Sequence, residues 1–195
     1  MVGTASSPAG PNSHKLTIDD QQPFDLEQIA AVLALHGVRY VLIGAASGAL
    51  HGMTEYLTKD VDLLIQSDQE NRTRLAAALA ELGTDATISA ADLATNTQWD
   101  TNAGHVDVLL TATGPNETFF IYADFAARAE VFEVGAGSVT VTAASLDDII
   151  RMKEAADRWK DHLALPELRR LRGDAHPDRA AVTDPFEFDI EDGAD

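Results

Sequence analysis

The feature that most constrains this chain is an apolar run that opens with two aspartates, Asp60 and Asp62, one residue apart. The run Asp60-Val61-Asp62-Leu63-Leu64-Ile65 has the length and composition of a buried β-strand. Residues i and i+2 of a strand point to the same face, so the two carboxylates are expected side by side. Such close like charges repel unless one takes up a proton or a cation neutralises both. Magnesium fits this position, because it favours one or two carboxylates together with phosphate oxygens.

The segment upstream of the aspartates predicts a place for that phosphate. Val38 to Ile43 is typical of a central strand, and Gly44 to Gly52 is rich in small residues. A tight turn into a short helix is expected, where small residues let a ligand approach the backbone and free amides attract an anion. A Gly/Ala-rich packing helix is the alternative, and for this segment taken alone it is the commoner explanation.

A third carboxylate, Asp107, stands in the apolar run Val106-Asp107-Val108-Leu109-Leu110. An acid in such a strand is unfavourable unless it is paired, lies at the end of the sheet or binds a metal. In this strand His105, Asp107 and Leu109 are expected to share one face. Three carboxylates on neighbouring strands predict a two-metal site for in-line phosphoryl displacement. Solvated carboxylates at a strand end are the alternative, because acidic chains contain such pairs by chance.

Composition limits the partners and the compartment. The formal net charge is −18, and residues 183–195 contribute six acids and no base. An acidic chain argues against broad non-specific binding to nucleic acid and favours cationic substrates through long-range steering. The absence of cysteine excludes disulfides and thiolate metal sites. No apolar run has the length of a membrane span and no signal peptide is visible, so we expect a cytoplasmic protein without a membrane partner.

The order of predicted elements indicates an α+β fold, with a mixed sheet flanked by helices and a helical C-terminal part. We expect a flexible N-terminal arm over 1–22, one domain over 23–172 whose helical part begins near 145, and an acidic disordered tail over 173–195. Further local signals predict these features: a helix over Asp25 to His36; a capping box of Ser67 and Glu70 opening a helix that ends near Leu82; a hairpin of Thr97 to Thr101 and His105 to Leu110; a helix over Tyr122 to Glu130; Ser145 capping a helix that reaches at least Asp157; and Pro166 in the first turn of a last helix through Leu171.

Three polar residues near these elements allow two interpretations each. Lys153 lies on the apolar stripe of its helix, where it either extends to solvent or points into a cleft to meet phosphate charge. Asp161 is a surface acid or a partner that positions a basic side chain. Thr58 packs at the entry of its strand or faces a nucleotide. His51 and His105 are interpreted as hydrogen-bonded polar residues, because the spacing of a zinc site is absent.

Several of these segments together resemble the AbiEii-type (MenT-like) nucleotidyltransferases of the DNA polymerase β-like superfamily, many of which are toxins of toxin–antitoxin or phage-defence systems. The resemblance covers roughly residues 38 to 171. It is carried by these motifs: Val41-Leu42-Ile43-Gly44-Ala45, His51-Gly52, Thr58-Lys59-Asp60-Val61-Asp62-Leu63, Val106-Asp107-Val108, and the helical segment from Lys153 to Lys160-Asp161.

The resemblance implies a minimal nucleotidyltransferase that moves NMP from an NTP to an acceptor hydroxyl, here the 3′ end of tRNA, with a cognate antitoxin as a partner. By the same resemblance the site residues have these roles: Gly44, Ala45 and Ser47 of the turn hold triphosphate; Asp60, Asp62 and Asp107 bind two Mg²⁺ ions, Asp107 being also a candidate base; Lys153 contacts phosphate; Asp161 matches the late acid of the family; and Thr58 and Lys59 adjoin the nucleotide. Thr58 also occupies the position where some relatives carry a residue that is phosphorylated to silence the enzyme.

The chain departs from the family pattern at two positions. Ala45 stands where a second Gly or a Ser is usual, and Tyr56 stands where relatives commonly have Arg. Two alternatives therefore stay open: transfer to a cationic small molecule of the aminoglycoside kind or to a protein, and a non-catalytic binding module. A basic groove leading to the acids favours tRNA, an acidic cup favours the small molecule, and carboxylates that fail to converge favour the module.

Overall fold

A computed structural model describes residues 24–54, 58–84, 86–135 and 139–174. Its main feature is a six-stranded mixed sheet with the strand order β3-β4-β2-β1-β8-β7. The strands are β1 (Tyr40–Ile43), β2 (Asp60–Ile65), β3 (Thr97–Thr101), β4 (Gly104–Leu109), β7 (Glu130–Val134) and β8 (Val139–Ala143), and β5 (Ala112–Thr113) pairs with β6 (Phe119–Phe120) in a separate small sheet. The helices are α1 (Leu26–Leu35), α2 (Gly44–Leu50), α3 (Gln69–Glu81), α4 (Tyr122–Ala126), α5 (Leu146–Ala156) and α6 (Trp159–Arg172).

The centre of the sheet is apolar on both faces, which places β1 and β2 between two layers of helix. On one face, alternate residues of β2 and β4 pack with α1 and α3. On the other face, Val41, Ile43 and Leu64 pack with residues of α4, α5 and α6. Strand alternation therefore decides which side chains meet which helices. The predicted mixed sheet flanked by helices is confirmed.

The pairing of the strands brings the predicted site segments to one region. Strand β2 pairs in parallel with β4 and antiparallel with β1, so all three lie side by side. Asp62 is the ladder partner of Asp107 in β4 and of Ile43 in β1. Because Ile43 directly precedes Gly44, the start of α2 lies beside the aspartate pair.

Three local predictions are wrong in their details. Helix α3 is capped by Asp68, whose carboxylate accepts a hydrogen bond from the Asn71 backbone amide at 3.0 Å, and not by Ser67. Helix α4 ends at Ala126 instead of Glu130, because the chain turns there and Glu130 begins the edge strand β7. Pro166 lies inside α6 rather than in its first turn, on the exposed face, where water can satisfy the carbonyl group that the proline leaves without an amide partner.

Other predictions agree with the structure or lie outside what it describes. Ser145 caps α5 by accepting a hydrogen bond from the Asp148 amide. Among the described residues, no helix has both the length and the apolar character needed to cross a membrane. The predicted arm over 1–22 lies outside the described residues, as does the predicted tail beyond Asp174.

Candidate active site

The three aspartates share one face of the sheet because of the pleat of two parallel strands. In β2, Val61, Leu63 and Ile65 turn toward α1 and α3, which leaves Asp60 and Asp62 on the face covered by α5 and α6. In β4, Val106 and Val108 likewise turn toward α1 and α3, so Asp107 lies on the same face as the pair. The expected grouping of His105, Asp107 and Leu109 on one face is confirmed by this burial pattern.

Asp62 is a largely buried acid, and Gly44 provides the space for it. The Gly44 backbone has φ +70°, and a Cβ atom placed on it would lie 2.1 Å from Asp62 Oδ2. Burial, together with the charges of Asp60 and Asp107, raises the pKa of the Asp62 carboxyl from 3.8 to about 7. A glycine is therefore required at the end of β1 by close contact as well as by backbone conformation.

The other two acids have neighbours of their own. The Thr58 hydroxyl donates a short hydrogen bond to Asp60 Oδ1. Asp107 Oδ1 is buried without a hydrogen-bond partner among the described residues, although His105 Nε2 lies 3.2 Å away. His105 Nδ1 lies 2.7 Å from Asp100 Oδ1, and this hydrogen bond raises the pKa of His105. Asp107 thus keeps an unused oxygen lone pair inside the site.

The carboxylates are suitable for a divalent ion but are not arranged as a ready coordination sphere. Within residues 24–54, 58–84, 86–135 and 139–174, no three acidic or histidine side chains come close enough together to hold a metal. Two observations nevertheless fit a cation: the mutual repulsion that helps to raise the pKa of Asp62, and the unpartnered oxygen of Asp107. Magnesium prefers oxygen ligands of this kind, and its binding would require the side chains to rotate toward each other.

Three basic side chains face the acids from the junction of α5 and α6. Lys153 lies in the last turn of α5, Asp157 follows in a left-handed conformation with φ 48°, and α6 begins directly afterwards. This sharp corner places Arg158 and Lys160 beside Lys153 along one cavity. Lys160 and Arg158 are close enough that their charges act to lower the pKa of Asp62, although burial outweighs them.

Asp161 ties two of these bases to the protein. Lys153 Nζ donates to Asp161 Oδ1 at 3.2 Å, and Arg158 Nε donates to Asp161 Oδ2 at 2.7 Å. Burial acts to raise the pKa of Asp161, but the hydrogen bonds from Arg158 and the charge of Lys153 hold it below its ordinary value. Asp161 is therefore ionised and positions the bases, which agrees with the partner interpretation of its sequence.

The acids and bases line one cavity of about 360 Å³. The cavity brings together most of the predicted site residues, namely Gly44, Ala45, Thr58, Asp60, Asp62, Asp107, Lys153 and Asp161. Ser47 lies behind the turn, fully buried, and its hydroxyl donates to the Ala144 carbonyl at 3.3 Å. Lys59 is exposed and does not line this cavity. The nucleotide-binding roles of Ser47 and Lys59 stay predictions.

Sequence reasoning missed Arg158 and Lys160 as site residues, and it missed the loop residues Asn96 and Thr111 of the cavity wall. The signal for the two bases is present in the run Arg158-Trp159-Lys160-Asp161, but the sequence there favours a helix that simply continues. The loop residues have no spacing that would mark them. Tyr56, one of the two departures from the family, lies outside the described residues.

Comparison with known proteins gives distant likenesses only. No family model matches the chain, and no curated protein matches it. Among solved structures, the chain is similar to TM1012 from Thermotoga maritima, provisionally described as a nucleotidyltransferase, at 15% identity and TM-score 0.43, over 76% of this chain and 88% of that one. It is also similar to the antibiotic-resistance factor ANT(2'')-Ia, at 19% identity and TM-score 0.41, over 74% of this chain and 78% of that one. Likenesses this distant do not assign an activity, so we infer the function from the site.

Proposed function

We propose that this protein is a magnesium-dependent nucleotidyltransferase that moves NMP from an NTP to an acceptor hydroxyl. The observation that carries the proposal is the division of charge across one cavity. Asp60, Asp62 and Asp107 line its sheet side, and Lys153, Arg158 and Lys160 line its helical side. A triphosphate bridging the two sides would meet cations directly and carboxylates through divalent ions.

The reaction has simple requirements that these residues can meet. The acceptor oxygen forms a bond to the α-phosphorus while the bond to the bridging oxygen breaks, and pyrophosphate leaves. Bound magnesium would neutralise the phosphates and lower the pKa of the acceptor hydroxyl. Asp60, Asp62 and Asp107 are the residues that would hold it. We assign the triphosphate charge to Lys153, which donates a hydrogen bond to Asp161, and the acceptor proton to Asp107, whose Oδ1 has no hydrogen-bond partner among the described residues.

The finer parts of the proposal rest on the sequence resemblance. We propose the 3′ end of tRNA as the acceptor and a cognate antitoxin as the partner, because the Thr58-to-Leu63 and Lys153-to-Asp161 segments resemble toxins with that activity. Lys153, Arg158 and Lys160 offer cationic contacts to an anionic substrate, and four aspartates line the same cavity. The net charge of −18 is the observation that keeps a cationic small-molecule acceptor as the second candidate.

Incubation of the protein with Mg²⁺, each labelled NTP in turn and total tRNA tests the proposal. We expect label on tRNA from one preferred NTP, and no label with Asp60→Ala. Asp92→Ala removes an exposed carboxylate outside the cavity and should behave as the wild type. Label on kanamycin but not on tRNA would move the acceptor to the second candidate. Failure of Mg²⁺ and every NTP to raise the melting temperature would leave only a non-catalytic module.

A further inference from the structure

A second cavity adjoins the first at Asp107. It has a volume of about 520 Å³ and is lined by Asn96, Thr97, Gln98, Asp107 and Leu109. Asn96, Asp107 and Leu109 also line the cavity that contains the basic residues. Asp107 therefore lies where two cavities meet, with a buried oxygen that has no hydrogen-bond partner in the described part of the chain.

Gln98 is the residue of this second cavity that is placed to bind a ligand. It is the ladder partner of Asp107 in the antiparallel β3–β4 pair. Directly opposed side chains of such a pair lie on the same face with Cβ atoms about 5 Å apart. Gln98 is exposed on the edge strand, and its side-chain amide makes no hydrogen bond to any residue that the structure describes.

The two polar neighbours of Gln98 are engaged, Asn96 at both ends of its amide and Thr97 as an acceptor. Asn96 Oδ1 accepts from the Leu110 amide at 2.8 Å, and its Nδ2 donates to the Thr111 carbonyl at 3.1 Å. The Thr97 hydroxyl accepts from the indole of Trp99 at 3.0 Å. Gln98 thus supplies a side-chain amide whose donor and acceptor are both unengaged by described residues, directly beside the third acid.

The charges of the two cavities differ, and the difference indicates the class of ligand. The first is lined by three basic residues suited to phosphate and by four aspartates, whereas Asp107 is the one charged residue among the described residues that line the second. A phosphate group would meet no cation on that described lining, and a polycation would find one carboxylate, which the proposed metal would share. An uncharged group with hydroxyls, supported by an amide and an apolar side chain, fits this lining.

We propose that the second cavity binds the acceptor as a neutral ribose. The Gln98 amide holds one ribose hydroxyl, so that the adjacent hydroxyl of the same ribose points at Asp107. This inference rests on the proposed nucleotidyl transfer and deepens it by naming the acceptor group and a residue that contacts it. The ribose can belong to the terminal nucleotide of an RNA or to a free nucleoside. Both present the same pair of hydroxyls.

The test compares acceptors and variants in one transfer assay with Mg²⁺ and the preferred NTP. The acceptors are total tRNA, tRNA whose terminal ribose has been opened by periodate, adenosine and kanamycin. The variants are Gln98→Ala and the shorter amide Gln98→Asn, with Gln69→Ala as a matched control, because Gln69 is exposed on α3 outside both cavities. Melting temperatures of all variants check that the fold is intact.

We expect transfer to tRNA or to adenosine, and none to oxidised tRNA. Gln98→Ala should raise the KM for that acceptor about 3- to 10-fold, the loss of one hydrogen bond, while the KM for NTP stays unchanged. Gln98→Asn should lie between, and Gln69→Ala should match the wild type. Three results would each overturn this inference without the proposed function: an unchanged acceptor KM in Gln98→Ala, transfer to kanamycin and to no other acceptor, or no transfer to any acceptor by a protein that binds Mg-NTP. A protein that binds no NTP would overturn the proposed function with it.

Discussion

The two sides of the cavity are built from opposite kinds of structure. The carboxylates stand on β2 and β4, inner strands whose apolar side chains pack in two cores. The bases stand at the corner between α5 and α6, and Arg158 and Lys160 are exposed apart from their cavity contacts. The strands that carry the carboxylates are fixed by packing, so these side chains can adjust only by rotation about their own bonds, whereas charges at an exposed corner can move more freely and are screened by salt. The sheet side should therefore be the rigid, sensitive half, and the exposed bases of the helical side, Arg158 and Lys160, the adjustable one.

The largest effect is expected from Asp62→Asn. This change keeps the shape of the side chain but removes a predicted metal ligand, so transfer should fall by at least about 10²- to 10³-fold. At pH 8 without metal, the unfolding free energy of the variant should be no lower than that of the wild type, because the change also removes the repulsion with Asp60 and Asp107. Single-turnover transfer and urea unfolding measure the two quantities. Activity within about tenfold of the wild type would contradict the importance given to the sheet side.

Gly44→Ala should have the next largest effect, through the same carboxylate. The added Cβ would lie 2.1 Å from Asp62 Oδ2, so the carboxylate must move. A displacement of about 1 Å can cost about 10²-fold in rate, and the left-handed backbone adds about 1–3 kcal/mol of destabilisation. Single-turnover transfer and urea unfolding again measure the two quantities.

Gly173→Ala is the matched control for Gly44→Ala. Its φ is +90°, and a Cβ there would meet no atom within 4 Å. It therefore reports backbone strain alone, and only the Gly44 variant should lose activity. Equal activity of the two variants would show that the contact with Asp62 is unimportant.

The same contrast explains what could be predicted from the sequence. The alternation of Asp60 and Asp62 with Val61 and Leu63 is a local pattern, so it is enough by itself to predict the face of the acids. The position of Arg158 depends on a left-handed Asp157, which interrupts a run that otherwise has helical character. Likewise, the place of Gln98 opposite Asp107 follows from the strand register of a hairpin. The corner at Asp157 depends on tertiary packing, and a hairpin register changes with a single residue of the turn, so a single sequence predicts both poorly.

On the helical side, Lys160→Ala and Arg158→Ala should separate binding from stability. Lys160 is exposed, so its removal should raise the KM for NTP about 3- to 10-fold without changing the melting temperature. Arg158 also donates to Asp161 at 2.7 and 3.3 Å, and its loss should destabilise the protein by about 1 kcal/mol in addition.

Because exposed charges are screened, the effect of Lys160→Ala on KM should shrink from about 0.05 M to about 0.5 M salt. An effect of Lys160→Ala on KM that is independent of salt would mean that the charge of this lysine is shielded from solvent, as expected for the sheet side and not for the helical side.

A pH dependence of stability should belong to the sheet side alone. Folding raises the pKa of Asp62 from 3.8 to about 7. Between these values the unfolded chain has released a proton that the folded protein keeps, so the contribution of Asp62 to stability falls as pH rises and levels off above about 7. In EDTA, the difference in unfolding free energy between the wild type and Asp62→Asn should therefore shift in favour of the variant from about pH 4 to about pH 7.

Mg²⁺ binds the ionised, folded form, so at about pH 8 it should stabilise the wild type more than the variant. A constant difference across this range, with or without Mg²⁺, would mean that neither burial nor the neighbouring carboxylates raise the pKa of Asp62 in the folded protein. The rigidity assigned to the sheet side would then lose its electrostatic basis.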